Sequence, residues 1–228
     1  MPKYKDIDYT LTRSGRKKTI SIFIERDGQV SVRAPELLKM DKIEEILESK
    51  RLWIYKGLAE WEDLNARRVE REFVAGESFL YLGRNYRLQI VKDQPKPLIL
   101  KNGHFCIKGS SLSKADELFK EFYREKGISK IKERIKFYQG KLGVTPGQIR
   151  VMELKHRWAS CSAKGNLNFH WKCVQFPLSI LDYVIVHELT HLIHSNHTKA
   201  FWNQIDKVIP DFEERKQWLK VNGAGMGV

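Results

Sequence analysis

The sequence has few cysteines and no long apolar run. Its 228 residues include three cysteines, Cys106, Cys161 and Cys173, without C-x-x-C spacing, so neither a disulfide framework nor a thiolate zinc site is expected. No apolar run approaches the ~18 residues that a membrane span requires, and the N-terminus is polar from the start. Internal repeats and low-complexity tracts are also not evident. We therefore expect a cytoplasmic protein with reduced thiols and no membrane association.

The chain is strongly basic. Its formal net charge is +13 and its pI is near 9.6, which favours acidic partners or nucleic acid. The basic residues interleave with acidic ones along predicted helices, as in residues 130–136, and this pattern is equally typical of a solvated helix face. Nucleic acid is therefore one candidate partner, and a solubilising surface is the alternative.

The first part of the chain, residues 1–110, is predicted to be a β-rich module with one long helix. Residues Thr19–Glu25 and Gln29–Arg33 alternate between apolar and polar around the turn Asp27-Gly28, which predicts a hairpin. Apolar residues at helical spacing predict a helix from about 38 to 66. Four more strands are predicted at Ser78–Leu82, Tyr86–Val91, Pro97–Lys101 and His104–Lys108.

A second region, residues 111–228, begins with a long helical pattern that ends near Gly140 to Gly143. Two strands, Gln148–Lys155 and Asn166–Gln175, are predicted on either side of the segment Arg157–Ser162. Pro177 then introduces an apolar helix that carries a group of histidines. The expected fold class is therefore α+β.

That helix contains His187-Glu188-Leu189-Thr190-His191. Two histidines four residues apart lie on one helix face, so both imidazoles can reach one metal ion. Glu188 lies about 100° round the helix, where its carboxylate can take a proton from metal-activated water as a general base. Four of the seven histidines fall within residues 187–197, and burying them without partners would cost several kcal/mol. The pattern therefore predicts one Zn²⁺ per chain.

Helix geometry favours His197 over His194 as the third metal ligand. His194 lies ~10 Å along the helix axis from His187, too far for three imidazoles to converge on a straight helix. His197 can return to the metal if Ser195-Asn196 ends the helix, after which Thr198 can cap a new helix through Ile205. A downstream carboxylate, Glu213 or Glu214, is the rival to His197.

The residues resemble the YgjP-like metallopeptidase family, also described as a DUF45 or M48-type family. The resemblance is carried by His187–Trp202, Leu181–Val186 and Arg157–Ser162, and towards the N-terminus by Arg16–Ile22, Gly28–Pro35 and Phe79–Gly83. It implies a zincin-like or SprT-like catalytic domain behind a β-rich part, with zinc held by His187, His191 and His197. Ala159 stands where the family usually has Gly, which matters only if that backbone needs positive φ. A metzincin is not expected, because the only late methionine, Met226, falls in a tail expected to fray.

The sequence points to substrate-binding residues less specifically than it points to metal ligands. Arg157, His156 and Tyr183 are candidates for binding the scissile carbonyl or a substrate carboxylate, and the strand Asn166–Gln175 could be an edge on which a peptide adds. Cys161 is a poor nucleophile because no base is tied to it. The leading hypothesis is a zinc metallopeptidase acting on peptides or proteins. The alternatives are a zinc-stabilised module that binds nucleic acid or protein, and a protease acting on DNA-associated proteins.

Overall fold

The structure is a computed structural model, and it describes residues 2–15, 18–25, 28–65, 71–154, 157–223 and 226–227. Helices and sheets both occur, so the fold is α+β, as expected. The chain divides into two compact units, Met1–Arg68 and Val69–Val228. This division comes earlier than the expected boundary at residue 110. The reason is that the strands of residues 78–108 share one hydrophobic core with the helix that carries the histidines.

The first unit is a four-stranded sheet and one long helix. The strand order is β1-β2-β4-β3, with β2 and β4 parallel and the other two pairs antiparallel. The predicted hairpin is β3 with β4 and the predicted helix is α1, whereas β1 and β2 were not anticipated; Asp27 of the predicted turn lies outside the described residues. The elements are β1 (Lys3–Tyr4), β2 (Ile7–Ser14), β3 (Ser21–Ile24), β4 (Val30–Pro35) and α1 (Met40–Asn65).

The second unit begins with another four-stranded sheet and a second long helix, and all five elements were predicted. The strand order is β5-β6-β8-β7. A 3-10 helix over Gly109–Lys114 precedes the long helix, which ends at Gly143 in the left-handed conformation (φ 67°) that glycine adopts readily. The elements are β5 (Ser78–Tyr81), β6 (Arg84–Val91), β7 (Leu98–Lys101), β8 (His104–Lys108) and α2 (Ala115–Leu142).

These two sheets have the same topology. In each, a two-residue turn joins the first pair of strands, the second and fourth strands are parallel, the third and fourth are antiparallel, and a long helix follows. The turn residues Lys5 and Leu82 occupy equivalent places and both have positive φ, 52° and 50°. The expectation of no repeat is therefore corrected at the level of topology. The sequence pattern did not reveal the repeated topology, because the two sheets pack on different kinds of side chain. The core around Val32 is mainly aliphatic, whereas the core around Phe105 is mainly aromatic.

A three-stranded sheet and three helices complete the second unit. The strand order is β10-β11-β9, so β11 is central. The strand predicted at Asn166–Gln175 ends at His170, because a 3-10 helix over Trp171–Gln175 follows it. The strand predicted at Gln148–Lys155 is also shorter, and Lys155 lies outside the described residues. The elements are β9 (Ile149–Met152), β10 (Ala159–Cys161), β11 (Leu167–His170), α3 (Leu178–Thr190), α4 (Lys199–Asp206) and α5 (Phe212–Gly223).

The C-terminal residues are anchored. Met226 is buried in the core of the second unit, and its carbonyl accepts a hydrogen bond from Lys172 Nζ at 2.8 Å. Gln175 Nε2 donates to the carbonyl of Gly227 at 3.1 Å. The expectation that Met226 lies in a frayed tail is therefore wrong. In the described part of the chain, every helix is too short or too polar to cross a membrane.

Candidate metal centre

Helix α3 is buried on almost every side, and this fixes where its histidines can point. Its apolar residues from Ile180 to Leu189 are buried, and Asp182 is held between two groups of α2. The carboxylate of Asp182 accepts two hydrogen bonds from the Arg134 guanidinium, at 2.7 and 2.8 Å, and one from the Tyr138 hydroxyl at 3.0 Å. Charge-assisted bidentate pairs of this kind fix both distance and rotation. The histidine face of α3 is therefore held rigidly against α2.

Three of the predicted residues meet beyond the end of α3. The helix ends at Thr190, earlier than predicted, and the chain turns through residues 191–198 before α4 begins. This turn brings His197 back, so that one ring nitrogen of each of His187, His191 and His197 lies within 4.8 Å of the others. The Nε2 atoms of His187 and His197 are 3.0 Å apart. Thr198 is at the N-cap position of α4, as predicted, but its side chain makes no capping hydrogen bond.

The rival ligands lie outside this group. Neither Glu213 nor Glu214 belongs to it, and both are exposed on the first turn of α5. His194 contributes its backbone instead of its ring. Its carbonyl lies 3.2 Å from Nδ1 of His191, so this contact orients the His191 ring and leaves Nε2 for a ligand.

The environment of His187 and His197 favours the neutral form of their imidazoles. Burial, together with the charges of His191, His197 and Lys216, lowers the pKa of His187 to about 3. Burial, together with the charges of His191 and Lys216, lowers the pKa of His197. A neutral imidazole is the form that binds a metal. His187 and His197 are therefore in the form that can bind a cation at neutral pH.

Two aromatic residues of α4 pack on the imidazoles. The ring of Phe201 is fully buried, with its centroid 4.7–5.0 Å from those of all three histidines. Trp202 stacks on His197 with centroids 5.6 Å apart and an interplanar angle of 27°. Neither residue was predicted to belong to the site. The available signal was their position in the first turn of the amphipathic helix that follows Thr198.

Glu188 lies beside the imidazoles and is 6% exposed. Its carboxylate accepts a hydrogen bond from the backbone N–H of Cys161, and Arg157 is near enough to stabilise its charge. Burial outweighs both effects and raises the pKa of Glu188 to about 7. Its Oε2 atom and Nδ1 of His187 are buried without a hydrogen-bond partner among the described residues. Unsatisfied buried polar atoms are costly, so Oε2 of Glu188 suits a bound water that donates a hydrogen bond to it.

The predicted strand, β11, is not an edge of the small sheet, because it has a neighbour on both sides. The two edges are β9 and β10, and β10 is the one whose residues line the cleft at the imidazoles. Hydrogen bonds from His170 N to Trp158 O (2.7 Å) and from Ser162 N to Asn166 O (2.9 Å) fix which groups of β10 face β11. By the alternation of an antiparallel ladder, the backbone groups of Ala159 and Cys161 face the other way. Ala159 is not among the described residues with positive φ, so alanine is tolerated where the family usually has glycine.

Two neighbouring clefts meet at Glu188. The larger, about 630 Å³, is lined by the three histidines and by residues 159–163. The smaller, about 240 Å³, is lined largely by Trp158, Val184 and Leu219. Arg157, Ala159, His187 and Glu188 line both clefts.

Three further residues considered from the sequence are Tyr183, Cys161 and His156. Tyr183 lines only the smaller cleft, where burial and the charge of Glu188 raise its pKa to about 12, so it is protonated. Burial and Glu188 also raise the pKa of the Cys161 thiol, which disfavours a nucleophilic thiolate. His156 lies outside the described residues.

Comparison with known proteins points to one class of enzyme. The model of the family "YgjP-like, metallopeptidase domain" matches residues 18–222. A search of the curated proteins finds no match. Two solved structures are similar in part, the metallopeptidase zymogens abylysin of Pyrococcus abyssi (24% identity, 43% of this chain, 99% of that chain, TM-score 0.39) and jannalysin of Methanocaldococcus jannaschii (25%, 39%, 92%, TM-score 0.36). At these TM-scores no structural detail is carried over from either protein.

Proposed function

The chain belongs to the YgjP-like metallopeptidase family, and from that premise we propose that it hydrolyses peptide bonds with one Zn²⁺ held by His187, His191 and His197. The convergence of three imidazoles on one point is the observation that carries the proposal. Nitrogen donors favour Zn²⁺ over Mg²⁺ or Ca²⁺, which prefer oxygen. Three protein ligands are the usual number for a catalytic zinc site, because they leave one position open.

Glu188 is the general base in this proposal. The metal, when bound, supplies a Lewis acid that activates water and polarises the scissile carbonyl. The carboxylate of Glu188 accepts the proton of the attacking water and returns it to the leaving nitrogen. The hydrogen bond from Cys161 N–H orients the carboxylate, while Oε2 stays available for the proton. Beside a cation held by the three imidazoles, the pKa of Glu188 would fall below the value of about 7 that burial gives it, and its carboxylate would be ionised at neutral pH.

The substrate backbone binds along β10 in this proposal. Because Glu188 occupies the N–H of Cys161, the outward N–H and C=O of Ala159 are the groups available to an extended peptide. Addition of a peptide to an exposed strand is a common recognition mode, and it holds the peptide straight. It would carry the scissile bond past the histidines, because residues 159–163 line the same cleft.

The smaller cleft accepts a substrate side chain next to the scissile bond. Its walls are mostly apolar, from Trp158, Val184 and Leu219, and it opens beside Glu188 and Arg157. Its volume of about 240 Å³ is large enough for a medium or large apolar side chain. We therefore expect cleavage beside Leu, Met or Phe in preference to charged residues. Arg157, at the junction of both clefts, is the group suited to the carbonyl oxygen of the substrate.

Replacing Glu188 by Gln tests the proposal. Gln keeps the size and hydrogen-bonding capacity of the side chain but cannot accept the proton. The variant should fold, hold about one zinc per chain, and cleave unfolded casein about 10²–10⁴-fold more slowly than the parent. Metal content by elemental analysis and cleavage rate should be measured on the same preparation.

The matched control is Glu214→Gln, which makes the same change at an exposed residue of α5. This control should keep both zinc and activity, and a loss of zinc would instead favour the rival ligand. Casein cleavage by Glu188→Gln at the parental rate would contradict the assignment of the base. A parent that holds zinc but cleaves no peptide would favour the zinc-stabilised binding module.

A further inference from the structure

The ring of His197 is held differently from those of the other two histidines. His187 is fixed by a buried helix, and His191 by the contact of its Nδ1 with the carbonyl of His194. His197 is exposed, lies in the turn between α3 and α4, and has no other hydrogen bond in the described part of the chain than the contact with His187 Nε2. Metal-binding histidines ordinarily use the second ring nitrogen for an orienting hydrogen bond. Something else must therefore orient His197.

A column of rings supplies that support. Trp202 stacks on His197 at 5.6 Å, and Phe212 stacks on Trp202 at 5.5 Å with an interplanar angle of 17°. Lys216, one turn after Phe212 on α5, places its ammonium 4.5 Å from the centroid of the Trp202 ring. Phe212 and Lys216 belong to the same helix, so α5 clamps the tryptophan between itself and the histidine. Stacked rings and a cation over an indole each contribute attractive energy beyond simple burial.

We infer that Trp202, clamped by α5, is the positioning residue for His197 and thereby sets the affinity of the metal centre. The inference rests on the proposed zinc site and extends it to the C-terminal helix, which contributes no ligand. The indole takes the place of the missing hydrogen bond, because it restricts the rotation of the imidazole ring. Without it, His197 must lose more rotational freedom on binding a metal, so binding weakens.

Zinc affinity, measured by competition with a chromophoric chelator, tests the inference without reference to catalysis. Trp202→Ala should weaken binding by about 10–100-fold, the usual effect of losing an orienting partner. Trp202→Phe keeps a ring on His197 and should recover most of the affinity. Phe212→Ala removes only the far end of the column and should give a smaller loss. This last variant leaves all ring contacts of the imidazoles in place.

The matched control is Trp218→Ala, which removes a half-buried tryptophan of α5 that packs on Phe176 and stacks on no imidazole of the described residues. It should lower stability while leaving zinc affinity unchanged. The decisive comparison is the double variant with His197→Ala, titrated with Zn²⁺ to saturation so that the weak binding of the remaining two histidines is still measured. If Trp202 acts through His197, then Trp202→Ala has little further effect in that background.

Three results would overturn the inference: parental affinity in Trp202→Ala, an undiminished loss in the His197→Ala background, or an equal loss in Trp218→Ala. Failure of the proposed function looks different. If the proposed function is wrong, the parent protein itself holds no stoichiometric zinc, and this result contradicts both the zinc site and the positioning role of Trp202. A parent that holds one zinc, with a Trp202→Ala variant that binds it equally well, removes the positioning role alone.

Discussion

His194 and His197 differ in what their side chains contribute, although both are histidines close to the same site. His194 offers its carbonyl to the ring of His191, whereas His197 offers a ring nitrogen to the group of three imidazoles. A backbone contact survives truncation of the side chain that carries it. The two residues should therefore respond in opposite ways to alanine.

The prediction is that His194→Ala keeps about one zinc per chain and His197→Ala does not. His194→Ala leaves the orienting carbonyl in place, while His197→Ala removes one of three donors and leaves too few for a tight site. Zinc content should be measured by elemental analysis after dialysis against a weak chelator. His187→Ala and His191→Ala should lose the metal completely. Equal zinc loss from His194→Ala and His197→Ala would mean that the ligand set is wrong.

At the scale of elements, α3 is tied to α2 by the buried pair of Asp182 and Arg134. The two side chains are 8% and 18% exposed, and Tyr138 donates a third hydrogen bond. Removing one partner leaves the other charge buried and uncompensated. Asp182→Ala should therefore lower the free energy of unfolding by about 3–5 kcal/mol.

Chemical denaturation followed by circular dichroism measures this loss. Glu133→Ala is the control on α2, because its ion pair with Lys130 is at the surface and its loss should change stability little. An Asp182→Ala variant as stable as the control would show that the buried pair does not hold α3. A stable Arg134→Met, which replaces the charge by an apolar chain, would support the same conclusion.

A second element-scale prediction concerns α5 and the substrate. Leu219→Trp should fill the smaller cleft and shift cleavage from large apolar side chains to small ones, by roughly 10-fold or more in relative kcat/KM. Peptide mixtures with cleavage sites read by mass spectrometry report the preference. Val221→Trp is the control, since Val221 is an exposed residue of the same helix. Unchanged preference in Leu219→Trp would show that this cleft does not select the substrate.

The whole molecule carries a net charge of +13, and this bears on the alternative that it acts among DNA-associated proteins. A field of this sign predicts non-specific association with DNA through phosphate contacts. A gel-shift titration should show binding at low salt, falling by about 10³-fold or more between roughly 50 and 200 mM salt if six or more phosphates are contacted. Absence of a gel shift at low salt would contradict DNA binding and would favour the alternative that the positive charge serves solubility.

The local patterns in the sequence were sufficient for much of the fold. Alternation predicted the β3–β4 hairpin and strands β5–β8, and helical spacing predicted α1, α2 and α3, because these signals depend on neighbours only a few residues apart. The repeated topology was not predictable in this way. It depends on parallel pairing of β2 with β4 and of β6 with β8, between strands that are not adjacent in the chain.

At the proposed metal centre, the sequence by itself determined the candidate groups: two histidines one helical turn apart, a glutamate beside them, and a break that allows His197 to return. The tertiary structure alone decided what surrounds these residues. It made β10 the edge strand, turned the Cys161 N–H towards Glu188, and brought Phe212 and Lys216 of α5 onto Trp202. Spacing within one helix is fixed by the backbone, whereas these contacts join segments whose approach depends on the packing of the whole second unit.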